Sequence, residues 1–285
     1  MSTETTGRET EATTSAETSV LTSLVENISV KPVIAVYSIL MALFVYLPIL
    51  SVVAFSFNSA GLTFPFDNFT LQWYEQLFSN QALMTAVIRS LQLALVVTVI
   101  TTVLATATAL AYRYDFWGQR GLLFLLILGI ITPGITYGVG ATLFLNELFG
   151  LTKGLWLAAP VHVVWTLPFA VIVLLAGFPP TLAKNEEAAR VMGADNRTVF
   201  RKIILPQVAP TVLGAAVFAF TLSYNEATRG LLLVGSDNTM PLQVFAIASG
   251  TRVTPTLFAL GSITTIASTF LLAGAGFLVF YGTTQ

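Results

Sequence analysis

Apolar residues run through this chain in blocks too long for the alternation of a half-buried strand or the stripe of a surface helix. Six stretches carry no Asp, Glu, Lys or Arg: 32–66, 90–112, 121–146, 154–183, 203–225 and 253–285. A helix needs about 20 apolar residues to cross a bilayer. The pattern therefore predicts six membrane-spanning helices near 33–56, 85–112, 121–143, 156–177, 207–227 and 257–281. Ahead of them, residues 1–30 are polar and rich in Thr, Ser and Glu. That composition predicts a disordered tail without an apolar core. No secretory signal precedes the first span, which is expected to act as its own insertion signal.

Composition agrees with a membrane protein. Of 285 residues, 55% are hydrophobic and 9% charged, and the mean hydropathy is +0.81. A net charge of −1 provides no basic footprint for nucleic acid. The absence of cysteine removes disulfides, thiolate metal sites and cysteine nucleophiles together. A single histidine, His162, excludes His-pair metal sites and HExxH chemistry. Lys31, Lys153, Lys184 and Lys202 are the lysines; none follows glycine or precedes Ser or Thr. The chain thus lacks a phosphate-binding loop, and any ATP it depends on is bound by another chain. An intramembrane enzyme would need a nucleophile with a base, or a metal, at helix depth. A stand-alone secondary transporter would show internal repeats and mid-membrane carboxylates. Neither set of features is visible.

Basic residues predict orientation. With the N-terminus inside, the inner side holds Lys31, Arg113, Arg120, Lys184, Arg190, Arg197, Arg201 and Lys202. The outer side holds Arg89, Lys153, Arg229 and Arg252, and Arg8 is left out as too far from the membrane to count. Eight against four favours cytoplasmic N- and C-termini.

The inner loop 178–206 stands out, because its 29 positions carry five of the thirteen basic residues. Pro179 and Pro180 end the fourth span. Residues 181–192 read as a helix with a favourable Glu186–Arg190 spacing, Gly193 as its C-terminal cap, and Asp195 or Asn196 as the N-cap of a second helix. That second helix carries Val199, Phe200, Ile203 and Ile204 on one face and ends at Pro206. A helix, a glycine corner and a second helix make a rigid knob.

In this loop Glu187-Ala188-Ala189, three residues, Gly193, nine residues, Ile203, one residue, Leu205-Pro206 reproduces EAA-x3-G-x9-I-x-LP. It resembles the signature loop of the membrane subunits of ABC importers. The resemblance implies an all-α membrane protein, a six-helix bundle of the type I importer permease architecture, with a permease domain over 31–285. It further implies that the loop, through Glu187, Ala188, Ala189 and Gly193, with Ile203, Leu205 and Pro206 completing the motif, docks on a cytoplasmic ATPase. The implied partners are a second permease, identical or different, two ATPase subunits that bind the ATP, and an extracytoplasmic substrate-binding protein. No cofactor or metal is implied in this chain.

Looser likeness covers roughly 33–281. Residues 69–74 with Leu77-Phe78, 112–116 with Gly118, His162 with Leu167-Pro168-Phe169, 220–226, and Pro241-Leu242 with Phe245 and Pro255 resemble spermidine/putrescine-type permeases, most of all the second of their paired subunits. A polyamine-like cation is the favoured solute. Relatives that import iron(III), thiamine or organophosphonates leave alternatives open. Where polyamine permeases often carry two adjacent acidic residues in the fifth span, this chain has Asn225 then Glu226.

Asn225, Glu226 and His162 are the pathway candidates. Glu226 either lines the route or forms an interfacial pair with Arg229, and His162 either lines it or hydrogen-bonds a neighbouring helix. Gly134 and Gly138 form a small-residue pattern suited to close packing, in this bundle or against a second permease. Trp73, Trp117 and Trp156 fall where interfacial indoles are expected.

Overall fold

The structure, a computed structural model, describes residues 30–250 and 254–283. The polar tail expected over 1–30 lies outside them, apart from Val30 at the start of the first helix. The chain divides into two compact units, Met1–Val52 and Val53–Gln285.

The first unit contains most of α1, Val30–Phe55. Its side chains from Lys31 to Leu50 are all exposed, as suits a helix whose solvent is lipid. The second unit holds α2 (Gln72–Ser79), α3 (Gln81–Ala111), α4 (Gln119–Ile131), α5 (Gly134–Leu148), α6 (Leu155–Gly177), α7 (Leu182–Val191), α8 (Asn196–Tyr224), α9 (Met240–Gly250) and α10 (Pro255–Thr283). Helices α1, α3, α6, α8 and α10 are each long and apolar enough to cross a membrane.

The third expected span is broken. Helices α4 and α5 meet at an angle of 106°. Pro133 is the cause: it lacks an N–H, and it pushes Thr132 out of the helical region, to ψ 123°. Contacts at the two ends of the bundle establish that the broken pair still crosses once. At one end Arg113 and Tyr114, just past α3, bind Glu186 of α7. At the other, Arg89 near the start of α3 pairs with Asp237 at 2.8 Å, and Gly154, just before α6, donates its N–H to the Leu233 carbonyl at 2.9 Å. The chain therefore leaves α3 at the α7 end and enters α6 at the far end, one crossing later.

The other departure is α8. The second loop helix and the fifth span form one continuous helix of 29 residues. Residues Val199–Ile204 are wound as a π-helix, and Pro206 falls in the first turn of the α-helical stretch that follows. Pro206 therefore lies inside a continuous helix, directly after the π-wound turn where the regular hydrogen-bond ladder is already interrupted, and it does not end the helix as expected. Within this segment Phe200 points outward, at 44% exposure, while Val199 and Ile204 are buried.

Packing is not confined to helices. Leu93, Val97, Leu155, Ala158 and Val161 form a core with Leu233 and Val234 from the loop after α8. Those two loop residues are 0% and 1% exposed. The loop after α8 is thus folded into the far end of the bundle.

Candidate functional site

The knob in 178–206 has the helix, glycine corner and second helix that the sequence implies, with one residue of the motif turned inward. Helix α7 ends in a Schellman arrangement: Gly193 donates to the Arg190 carbonyl at 2.9 Å and Ala194 to the Ala189 carbonyl at 3.0 Å. Gly193 adopts φ +85°, a conformation costly for a residue with a Cβ. Asp195 caps the next helix, accepting from the Thr198 N–H at 3.3 Å.

Glu187, Ala188 and Gly193 are exposed. Ala189 is not: it is buried with Leu182, Val199, Ile204 and Val208 in a small core under the knob. It holds the knob together and does not present itself to a partner. In its place the tip exposes Val191 at 84% and Met192 at 80%. The signal for these two was two apolar residues at a helix end with no core to face. Ile203 is half-buried, whereas Leu205 and Pro206 are exposed.

Glu186 anchors the knob. It is buried, yet its carboxylate accepts hydrogen bonds from Arg113, from Tyr114 Oη at 2.7 Å and from Arg190 at 2.9 Å. Burial pushes its pKa upward, but the bonds from Tyr114, Arg190 and Arg113 outweigh that and hold it at about 2. The group is ionised at neutral pH. The sequence showed its Arg190 partner by i,i+4 spacing; the Arg113 and Tyr114 partners come from the turn after α3.

At the far end, two of the three pathway candidates belong to one buried polar cluster. His162 is 1% exposed, with Nδ1 3.0 Å from Ser223 Oγ on α8. Glu226 and Arg229 form a 2.8 Å ion pair, and Glu226 also accepts from the Arg229 N–H at 3.0 Å and Thr228 Oγ1 at 2.8 Å. The Arg229 guanidinium lies 3.4 Å from the centre of the Trp165 ring, a cation–π contact. The expected pair with Arg229 is thus formed, and it is buried within the bundle. Asn225 is exposed and bonds back to the Thr221 carbonyl at 2.9 Å.

Gly134 and Gly138 form the floor of this cluster. A Cβ on Gly138 would stand 2.8 Å from the Arg229 carbonyl oxygen, and one on Gly134 2.5 Å from Thr228 Oγ1. The small-residue pattern therefore seats a loop of this same chain. Of the three tryptophans expected at an interface, Trp117 and Trp156 are exposed. Trp73 is half-buried and donates to the Asn58 carbonyl at 2.8 Å, which ties it into the 56–79 segment.

Residues 101–281 match the family described as binding-protein-dependent transport system inner membrane component. The chain belongs to this family. It is a multi-pass membrane permease of the ABC transporter type and not an enzyme. This permease is similar to the spermidine/putrescine transport system permease protein PotC of Haemophilus influenzae, with 31% identity over 80% of this chain and 89% of the relative. PotC of Escherichia coli K12 is 31% identical over 79% and 85%. The putrescine transport system permease protein PotI of the same organism is 28% identical over 71% and 75%. Among solved structures, an amino acid ABC transporter with histidines matches with a TM-score of 0.53 at 16% identity, over 76% of this permease and 100% of that chain. That last likeness concerns the fold alone.

Proposed function

We propose that this permease carries a polyamine-like cation inward, in an assembly with a second permease, two cytoplasmic ATPase subunits that bind the ATP, and an extracytoplasmic substrate-binding protein. The observation that carries the coupling half of this reading is the knob: a rigid helix ending at Gly193, with Glu187, Ala188, Val191 and Met192 exposed at its tip. An apolar tip beside one carboxylate suits a cleft on another protein better than open water. The relatives' names support the solute. Iron(III), thiamine and organophosphonate remain the competing cargoes to be run beside spermidine and putrescine in ATP-driven uptake by reconstituted transporter.

The proposed cycle is alternating access. Closure of the ATPase pair draws the knobs of the two permeases together and opens the far end to the binding protein; hydrolysis reverses this. His162, Asn225 and Glu226 are proposed to lie along the route. A cation reaching Glu226 competes with Arg229 for its carboxylate.

Two measurements test this reading. Gly193→Val places a β-branched residue at φ +85°, at a cost of about 1–2 kcal/mol, and should abolish solute uptake while the spans still insert. Undiminished uptake with normal ATPase association would count against the knob. The proposed orientation places the knob in the cytoplasm, so a cysteine at Asn196 should react only from inside and one at Ser236 only from outside. Reaction of both from one side would defeat this topology.

A further inference from the structure

We propose that Glu186 is a positioning residue that fastens the docking helix α7 to α3, so that the ATPase stroke enters the membrane along α3. This rests on the importer reading above and names the route by which that reading's stroke travels.

The first support is the attachment itself. Glu186 faces inward from α7 and holds Arg113 and Tyr114, immediately beyond the last turn of α3. Leu110, in that last turn, packs on the core that also holds Leu182 and Ala189 of α7. A buried carboxylate with three charge-assisted or hydroxyl donors fixes direction as well as distance, which apolar contact alone does not. Helix α7 meets α8 through apolar contact of Ala189 with Val199, Ile204 and Val208 and through one exposed hydrogen bond, from Asn185 Nδ2 to Gln207 Oε1 at 2.9 Å, and the covalent connection between the two helices has a different character. It runs through the Gly193 corner, where the space around the glycine is open, and then through the π-wound Val199–Ile204.

The second support is stiffness. Helix α3 is 31 residues long, about 46 Å at 1.5 Å per residue, and contains neither proline nor glycine. Kinks arise at prolines, glycines and π-turns, and the other membrane-length helices each carry such a site. The α4–α5 pair breaks at Pro133, α6 contains Pro168, α8 has its π segment with Pro206 and Pro210, α1 has Pro48, and α10 has Gly261, Gly274 and Gly276. Among the described helices of that length, α3 is the unbroken rod.

The third support is what the rod holds at its far end. Arg89 pairs with Asp237 at 2.8 Å, and Ser90 Oγ accepts from the Met240 N–H at 2.8 Å. Asp237 in turn accepts from the Leu155 N–H at the start of α6, at 3.3 Å. A shift of α3 along its axis therefore moves the buried loop and the mouth of α6 without crossing a helix break.

The test uses the complete transporter, with both permeases, the ATPase pair and the binding protein, in proteoliposomes. Glu186→Gln and, separately, Arg113→Gln weaken the node without touching the exposed tip. ATP hydrolysis, solute taken up per ATP, and the ATP-induced change in distance between a spin label at Leu151 and one on the second permease are measured together; the chain has no cysteine of its own to interfere with labelling. Both variants should retain the ATPase and hydrolyse ATP. Uptake per ATP should fall about tenfold, within the usual range of coupling between sites, and the distance change should disappear. Unchanged uptake per ATP with an unchanged label shift would overturn the proposal. So would loss of the ATPase from both variants, since the residue would then serve docking and not transmission. If the unmutated transporter shows no ATP-driven uptake of any solute tried, the importer reading falls, and the node falls with it.

Discussion

Arg229→Leu should be among the most damaging single changes in this chain, lowering stability by about 3–5 kcal/mol, the usual consequence of leaving one member of a buried ion pair alone. Glu226 would keep its bonds from Thr228 and from the backbone of residue 229, but its charge would have no counter-ion. Trp165 would lose a cation–π contact of about 2 kcal/mol when desolvated. Thermal unfolding of the purified chain in detergent measures the loss. Replacing both members, Glu226→Gln with Arg229→Met, should restore most of it, because two neutral residues of similar size incur no charge-burial penalty. The double variant also decides the role of Glu226 in transport. Cation uptake should collapse in the stable double variant if the carboxylate serves the route, and should survive if the pair is only a brace. A single substitution cannot separate these outcomes, because it damages fold and route together.

Gly138→Ala should destabilise the chain by about 1–3 kcal/mol, the range expected for forcing extra volume into a filled site. The added methyl would stand 2.8 Å from the Arg229 carbonyl oxygen. That oxygen belongs to backbone and cannot rotate away. Gly140 lies two residues on in the same helix, with nothing within 4 Å of its Cβ position. Gly140→Ala should therefore be neutral or stabilising, by up to about 1 kcal/mol from helix propensity alone. The contrast separates a packing constraint from a general need for glycine in α5. Equal melting temperatures for the two variants would show that the loop does not rest on this floor.

The six spans were legible because charge-free length is a local property, and a bilayer leaves the backbone few ways to satisfy itself except as helix. The break at Pro133 was equally local, but a proline within a long apolar run marks a possible bend without giving its angle. The inward face of α7 could also have been found. Leu182, Glu186 and Ala189 lie at i, i+4 and i+7, one face of a helix, and all three are buried. The motif drew Ala189 to the partner side, whereas periodicity placed it in the core. The loop after α8 was not legible. An arginine between Thr228 and Gly230 in an interspan loop reads as surface, and Arg229 is buried only because Trp165, Gly134 and Gly138 lie 64 or more positions earlier in the chain and come together beneath it. Nothing near residue 229 records that.

The placement of this loop also bears on how the protein is made. Synthesis runs from the N-terminus, and earlier segments fold first. Gly134, Gly138, Trp165 and His162 all precede Arg229, so the receptor for the loop has left the ribosome before the loop itself. A nascent chain ending after Tyr224 would leave that receptor empty, with Leu233 and Val234 missing from the core they fill. One long enough to expose residue 239 could close the bundle before α10 is inserted. Assembly of the far end thus depends on a short stretch between two spans and need not wait for the last helix.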